Sequence, residues 1–228
     1  VQITRNNGTN WKNVRLNMDD VPLKTWVSRV EASKHKKGRA YITFDNHRFD
    51  DNKPYVFMTD DYGKSWTNIS ANLPLDYSVY VIKEDYIDEN LLFVGTEKSV
   101  YFTINRGKNW DKLGTKLPSV AIHDLVIHPR DGDLIAGTHG RSIWILDDIS
   151  PLRKLDKKSN NLTPIRIATK WIKINTGRKQ PFFEFRGENP PDGAIINFYS
   201  NTNNNGKLIV TNMSGLNIYS KSISLNKG

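Results

Sequence analysis

A short pattern occurs three times along the chain and constrains its fold more than any other feature. Each copy reads Thr, any residue, Asp or Asn, any residue, Gly, two further residues and Trp. The copies start at Thr4, Thr59 and Thr103, so they are 55 and 44 residues apart. Those intervals match a four-stranded sheet of a repeat architecture better than a helical repeat. The residues that define the three copies are Thr4, Asn6, Gly8, Trp11, Thr59, Asp61, Gly63, Trp66, Thr103, Asn105, Gly107 and Trp110.

Each position of the pattern has a physical role in a tight turn. An Asp or Asn side chain can accept hydrogen bonds from main-chain N–H groups further round the turn. The glycine can adopt a positive φ without steric cost. The tryptophan begins the returning strand and offers a large apolar face to a neighbouring sheet. The pattern therefore predicts a structural turn between two antiparallel strands.

This pattern resembles the Asp box, or BNR repeat, of sialidases, sortilin-type receptors and bacterial exported proteins with glycosyl-hydrolase-like names. The resemblance implies a β-propeller in which each box joins the third and fourth strands of a blade, away from the ligand-binding face. Two copies carry Asn6 and Asn105 where the family more often has Asp. Because Asn keeps the turn hydrogen bond without the charge, we expect structural boxes and no metal site.

Apolar runs bounded by turn residues lie between the boxes, and no long helical period interrupts them. They predict an all-β fold with about three to three and a half four-stranded blades. Closed propellers have four to eight blades in most cases, so we expect further blades of the same protein to complete the ring. The predicted strands are 1–4, 11–16, 26–32, 40–44, 55–59, 66–69, 79–82, 91–95, 100–104, 110–113, 122–128, 134–137 and 143–146.

The segment 121–148 resembles the last blade of the exported BNR-repeat proteins, in which a short linker then leads to a β-sandwich. The resemblance divides the chain into propeller blades at 1–149, a linker at 150–163 and a sandwich-like module at 164–228. Segments 183–191, 194–199, 208–211 and 216–220 are the predicted strands and turns of that module, which we expect to be cut short at Gly228.

Composition narrows the range of functions. The chain has no cysteine, which excludes disulfides, thiolate metal sites and a cysteine nucleophile. Its net charge is +9, but the basic residues are scattered, so we attribute the charge to solubility and expect no nucleic-acid partner. No apolar run is long enough for a spanning helix, and we expect no membrane insertion. No phosphate-binding loop or nucleophile motif is present, so we expect no cofactor.

Propeller ligands usually bind where the second strand of each blade turns into the third and where one blade connects to the next. In this chain we place those loops at 46–53, 71–78, 97–98, 115–121 and 140–141. The candidate ligand-binding residues they carry or adjoin are His47, Arg48, Asp50, Asp51, Asp76, Tyr77, Glu97, His123, Asp124, His139 and Arg141.

A register estimate refines one group of candidates. If residues 130–133 form the hairpin turn, paired residue numbers sum to about 263, and His123 lies opposite Gly140. His139 and Arg141 then flank it, with Asp124 nearby, as in a polar binding or acid–base group. The alternative is that the turn at 139–141 only fixes neighbouring loops.

Two classes of function remain open. The first is a noncatalytic exported propeller that binds a protein, peptide or glycan at its mouth, as sortilin-type receptors do. The second is a sialidase-like glycoside hydrolase whose catalytic carboxylates lie partly in other blades, and for which no catalytic residue is assigned here. A secreted, periplasmic or cell-surface location follows from the family resemblance.

Overall fold

The computed structural model describes residues 1–114, 116–162, 166–167 and 193–227. The chain divides into two compact units, Val1–Arg153 and Lys154–Gly228.

The first unit is a series of antiparallel sheets that are the blades of a partial β-propeller. A two-stranded sheet contains β1 (Gln2–Ile3) and β2 (Lys12–Asn13). The first complete blade contains, in spatial order, β3 (Trp26–Ala32), β4 (Ala40–Asn46), β5 (Asp51–Thr59) and β6 (Thr67–Asn68). The second contains β7 (Val79–Glu84), β8 (Leu92–Thr96), β9 (Val100–Thr103) and β10 (Asp111–Lys112). The third contains β11 (Ile122–Ile127), β12 (Leu134–Thr138) and β13 (Ile143–Leu146), and the short helix α1 (Ser150–Arg153) follows it.

The prediction of an all-β partial propeller is confirmed. Within the described residues, three blades and a preceding pair of strands agree with the expected three to three and a half. Two 3₁₀ turns, Arg15–Asn17 and His47–Phe49, complete the regular structure of this unit.

The blades are held together by apolar side chains between successive sheets. Strand β7 packs against β3 and β4 of the blade before it and against β11 of the blade after it. Between the first two complete blades lies a core that includes Tyr41, Val56, Ile82 and Leu92, none of which is exposed. The strands pack in this way because they alternate or run continuously apolar on the faces that meet another sheet.

The three repeated turns share one hydrogen-bond pattern. The first-position hydroxyl accepts the glycine N–H, at 2.9 Å for Thr4 and Thr59 and 3.0 Å for Thr103. The third-position side chain accepts the N–H four residues later, at 2.9 Å for Asn6 and 3.0 Å for Asp61 and Asn105. The hydrogen bonds expected from the residue types are therefore formed, and the second and third turns lie between the third and fourth strands of their blades.

The residue before each glycine also has a positive φ, which the pattern did not predict. Asn7, Tyr62 and Arg106 have φ values of 51°, 61° and 57°. The N–H of Tyr62 donates to Gly38 O, and that of Arg106 donates to Asn90 O, each in the first hairpin of its own blade. The main-chain N–H of this residue thus connects the repeated turn to the hairpin between the first two strands of the same blade.

The turns also contact the preceding sheet. A Cβ on Gly107 would lie 2.8 Å from Ile69 Cβ, and φ is +81° there, so only glycine fits. Trp110 is 3% exposed and donates its indole N–H to Ile69 O at 2.8 Å. Trp11, by contrast, is 59% exposed. The three tryptophans therefore occupy the same position of the pattern but differ in exposure.

The third blade ends in a divergent version of the same turn. Ile149 N–H donates to Gly132 O in the first hairpin of the blade, as Tyr62 and Arg106 do in theirs. Counting from Ile149, Arg153 occupies the position of the tryptophan. Its guanidinium binds both carboxylate oxygens of Asp85 in the preceding blade at 2.8 Å, and the Asp85 side chain is fully buried. The Arg153–Asp85 ion pair therefore takes the place of the contact that Trp110 makes with its preceding blade.

The second unit contains three two-stranded sheets among its described residues. Strand β14 (Asn161–Leu162) pairs with β17 (Phe198–Tyr199), and β15 (Arg166–Ile167) pairs with β16 (Ala194–Ile195). A longer hairpin joins β18 (Asn204–Thr211) to β19 (Asn217–Leu225). The predicted segment 183–191 lies outside the described residues, and the sandwich assignment of 164–228 stays a prediction.

Candidate functional site

The first strand of each of the three blades has a β-bulge at the same position. The register shifts between Val27 and Arg29 in β3, between Val79 and Val81 in β7, and between Ile122 and Asp124 in β11. The extra residues are Ser28, Tyr80 and His123. A bulge leaves its residue outside the ladder and turns its side chain, so three blades present an additional side chain at one end of their inner strands. We call this end, where the second strand of each blade turns into the third, the mouth.

Two of these bulge residues form the centre of an aromatic group. The rings of Tyr80 and His123 stack with centroids 4.6 Å apart and an angle of 25°. The His139 ring lies 5.4 Å from that of His123 at 57°. The Tyr80 hydroxyl donates a short hydrogen bond to Glu97. A continuous line of contacts therefore runs from His139 through His123 and Tyr80 to Glu97, across the second and third blades.

The predicted register of the third blade was wrong, although its main consequence holds. Asp124 pairs with Gly137 and Ile127 with Leu134, so the paired numbers sum to 261 rather than 263. The turn is longer than predicted, because it spans His128 to Asp133, and the bulge moves His123 out of the ladder. His123 and His139 nevertheless lie together, because Ile122 pairs with Thr138 and each histidine is the next residue after one member of this pair.

The first and third blades are joined by an ion pair. Arg29, which follows the bulge in β3, donates to Asp124, which follows the bulge in β11, over 2.5 Å. The two side chains are 37% and 57% exposed. Asp124 thus pairs with Arg29 rather than joining the two histidines in an acid–base group. The six residues His139, His123, Tyr80, Glu97, Arg29 and Asp124 are the mouth cluster.

Tyr80 is held as a neutral hydroxyl. Burial raises the pKa of Tyr80, and the hydrogen bond to Glu97 and the negative charges of Glu97 and Asp45 raise it further. Tyr80 is therefore a hydrogen-bond donor at any physiological pH.

Other predicted residues surround the mouth cluster without joining it. His47 Nδ1 lies 2.7 Å from both carboxylate oxygens of Asp45. The Arg48 guanidinium stacks over Trp26 at 4.6 Å. Asp50 ends the 3₁₀ turn with a φ of 57°. These three residues lie between β4 and β5, at the mouth end of the first blade.

Asp51 has a structural position in this loop. Its carboxylate accepts hydrogen bonds from Asn46 at 2.9 Å and from the Tyr55 hydroxyl at 2.7 Å. Burial raises the pKa of Asp51, but these hydrogen bonds outweigh it, and the pKa lies below its ordinary value. The charged carboxylate fixes the loop that carries His47 and Arg48.

The rim of the second and third blades contains the remaining candidates. Lys98 lies 4.4 Å over the Tyr77 ring and 3.9 Å from the Asp76 carboxylate. Arg141 is exposed, and its carbonyl accepts the indole N–H of Trp144 at 2.9 Å. Lys98 therefore links Asp76 and Tyr77, whereas the recorded contact of Arg141 is with Trp144.

The sequence reasoning missed Ser28, Arg29, Asp45 and Tyr80. In β11 the bulge breaks the two-residue alternation, so the successive residues His123 and Asp124 are both polar and exposed. Ser28 and Arg29 are likewise successive polar residues in β3, and that signal could have located the bulge there. The bulge in β7 carries no such signal, because Tyr80 is followed by the buried Val81.

The described residues contain no group of three or more His, Cys, Asp or Glu side chains suited to a metal ion. In the same part of the chain, no helix has the length and apolar character needed to cross a membrane.

Comparison with known proteins adds both sequence and structural relatives. A family model, Sortilin-Vps10, described as sortilin, neurotensin receptor 3, matches residues 54–222. The vacuolar protein sorting/targeting protein 10 of Coccidioides posadasii (strain C735) is 31% identical over 93 residues. That match covers 41% of this chain and 6% of the fungal protein, so the chain spans a small part of that relative's length.

Two solved structures resemble part of the chain. The GH74 xyloglucanase from Xanthomonas campestris has a TM-score of 0.47 and 16% identity, with 60% of this chain and 22% of the enzyme covered. YCF48 bound to the D1 peptide has a TM-score of 0.44 and 23% identity, with 59% of this chain and 40% of YCF48 covered.

The family model matches most of each unit, and the matched residues include the second and third repeated turns. Since the matched residues 54–222 make up more than half of the 228 residues, the chain belongs to the Sortilin-Vps10 family.

Proposed function

We propose that the first unit contributes to a noncatalytic ligand-binding mouth of a propeller receptor, and that the ligand is an extended protein segment or peptide. The observation that carries this proposal is the contact line His139–His123–Tyr80–Glu97, which two blades build from bulge and hairpin residues. Structurally constrained bulges next to a surface group of polar and aromatic side chains are a common feature of binding sites.

The chemistry of the mouth cluster suits a peptide. Tyr80 and His123 offer flat aromatic surface, and the histidines offer ring nitrogens that can donate or accept. Arg29 and Asp124 place both signs of charge beside them. A peptide presents apolar side chains, main-chain amides and charged groups at comparable spacing, so it can use each of these features.

The mouth carboxylates favour binding over hydrolysis. Glu97 accepts a hydrogen bond from Tyr80, Asp124 pairs with Arg29, and Asp45 contacts His47. A glycosidase needs one carboxyl group held as a proton donor and a second aligned with it across the scissile bond. These three carboxylates are instead engaged by neighbouring side chains.

The experiment is a peptide-array screen on the full-length protein, followed by affinity measurement for the best peptide. We expect His123→Ala and Tyr80→Phe to weaken binding by about tenfold each, the loss typical of one strong interface contact. His128→Ala is the matched control, because His128 follows the same strand at its opposite end. Equal weakening by the control, or turnover of chromogenic glycosides that a mouth Asp or Glu variant abolishes, would refute the proposal.

We also propose that the whole protein acts in sorting or export. The support is the family membership and the name of the fungal relative, vacuolar protein sorting/targeting protein 10. Fractionation of cells that express the tagged full-length protein tests this. Recovery only in the cytosol would contradict it.

A further inference from the structure

The loop between the first and second complete blades presents an exposed leucine on the mouth side of the first unit. Residues 69–78 connect the outer strand β6 to the inner strand β7. Val79, where β7 begins, pairs with Thr96 at the end of β8, so the loop reaches the inner strand at the mouth. Leu75 in this loop is 75% exposed. Because the blades on both sides of the loop are complete, this exposure is a property of the loop itself.

The loop is anchored to the structure beneath it. Leu73 is 2% exposed and belongs to the core between the two blades. The Asn72 side chain binds the main chain of Trp110 in both directions: its amide donates to Trp110 O at 2.9 Å, and its oxygen accepts the Trp110 N–H at 2.7 Å. Leu75, two residues beyond Leu73, is therefore held at the surface before any ligand arrives, and such preorganisation favours affinity.

A tight turn places a carboxylate beside this leucine. The Tyr77 N–H donates to Pro74 O at 3.3 Å, so Leu75 and Asp76 occupy the two central positions of the turn. The Asp76 side chain is 73% exposed, and its carboxylate lies 3.9 Å from Lys98 Nζ, at the outer limit of an ion pair. The turn thus presents an apolar side chain and a weakly paired carboxylate next to each other.

The charge around the turn is locally negative, although the chain as a whole carries +9. The Lys98 ammonium lies 4.4 Å over the Tyr77 ring, close to Asp76, and Glu97 precedes it in the sequence. Two carboxylates and one ammonium leave a net charge of −1 on Asp76, Glu97 and Lys98. A cationic group of a ligand is therefore favoured here over an anionic one.

The turn continues the mouth cluster outward over the second blade. Glu97 accepts the hydroxyl of Tyr80 in the cluster, and the next residue, Lys98, contacts Tyr77 of the turn. The contacts therefore continue from the mouth cluster to the turn that carries Leu75. An extended ligand on the cluster can reach the turn along this line.

We propose that Leu75 and Asp76 determine the specificity of the mouth, and that the preferred peptide has an apolar residue next to an arginine or lysine. Leu75 contacts the apolar side chain, and Asp76 binds the cation. The inference rests on the function proposed for the mouth and names a sequence feature of its ligand. A purely basic peptide makes no use of Leu75, and a purely apolar one leaves Asp76 without a partner.

The test is an alanine and charge-reversal scan of the array-selected peptide on the full-length protein. We expect the affinity to fall by about tenfold when either the apolar or the basic residue of the peptide is replaced by alanine. Leu75→Ser should weaken binding of the original peptide by a similar factor and make it insensitive to loss of the apolar residue. Asp76→Lys should weaken the original peptide and strengthen binding of a peptide whose basic residue is replaced by glutamate.

The matched control is Leu23→Ser in the loop before the first complete blade. Leu23 is also 75% exposed and follows Pro22 in a turn that the Thr25 N–H closes on Pro22 O at 3.0 Å. The residue after it is Lys24 rather than an acidic residue. Peptide affinity in Leu23→Ser should equal that of the wild type, and equal weakening by Leu23→Ser and Leu75→Ser would overturn the proposal.

The remaining outcomes separate this inference from the proposed function. Peptide binding that His123→Ala weakens but Leu75→Ser and Asp76→Lys leave unchanged would overturn the specificity assignment and leave the binding mouth standing. So would selected peptides that lack the apolar–basic pair. The absence of any saturable peptide binding would overturn both proposals. Leu75 and Asp76 are exposed, and thermal unfolding checks that their variants fold.

Discussion

At the third position of each repeated turn, one side-chain oxygen accepts the N–H group four residues later. Asn6 and Asn105 do this without charge, whereas Asp61 also accepts the Ser65 hydroxyl at 2.7 Å. The hydrogen bonds from the Ser65 N–H and hydroxyl lower the pKa of Asp61 to about 2. Of the three third-position side chains, only Asp61 can titrate, so the stability of its turn depends on pH.

Asp61→Asn should remove an acid-sensitive part of the stability. A carboxyl group whose pKa is lower in the folded chain stabilises it above the unfolded pKa, about 3.9. That contribution disappears as pH falls through about 2. The urea midpoint of the wild type should therefore fall more between pH 5 and pH 2.5 than that of Asp61→Asn. Asp19→Asn, at an exposed loop position, is the control, and an unchanged pH dependence in Asp61→Asn would contradict this assignment.

Among the elements, the end of the third blade departs most from the repeat. Helix α1 brings Arg153 to the place of the tryptophan, where it binds Asp85 and lies 5.2 Å over the Tyr86 ring. Tyr86 in turn donates its hydroxyl to Pro129 O at 2.8 Å in the third blade. The second and third blades are therefore fastened through one buried ion pair and one aromatic ring.

Arg153→Met should destabilise the first unit by about 3–5 kcal/mol, because it leaves the buried Asp85 carboxylate without its countercharge. Urea unfolding followed by tryptophan fluorescence measures the change. The control Arg130→Met removes an Arg–Asp pair in which the arginine side chain is 70% exposed, so a loss below about 1 kcal/mol is expected. Similar losses in the two variants would show that the Arg153 pair does not fasten the blades.

For the molecule as a whole, the mouth combines residues that are distant in sequence. Arg29 and Asp124 are 95 residues apart and belong to the first and third blades. Because both side chains are partly exposed, solvent screens their attraction and the pair contributes at most about 1 kcal/mol to stability. Because the pair lies beside Tyr80 and His123, we propose that it acts in binding rather than in folding.

Charge reversal of Arg29 and Asp124 distinguishes a role in binding from a role in stability. Arg29→Asp and Asp124→Arg should each leave the urea midpoint nearly unchanged and weaken binding of the array-selected peptide several-fold. The double reversal should restore part of the affinity, because it re-forms the pair in the opposite direction. Peptide affinity that neither single variant changes would exclude the pair from the binding site.

The sequence alone determined the blades of this protein. Predicted ranges 26–32 and 143–146 coincide with β3 and β13, and the other blade strands differ from prediction mainly at their ends. This agreement is physical: strand alternation and the Thr–Asp/Asn–Gly turn are local, so neighbouring residues suffice to specify them. The linker at 150–163 and the sandwich at 164–228 stay predictions.

Only the tertiary structure decided which side chains meet. The bulge at His123 shifts the register, so counting from the hairpin turn misplaced His123, and the bulge that exposes Tyr80 was not predicted at all. The arrangement of the blades brings Arg29 to Asp124, and packing of the second blade on the first buries Trp110. These outcomes depend on contacts between sheets, which a local pattern does not contain.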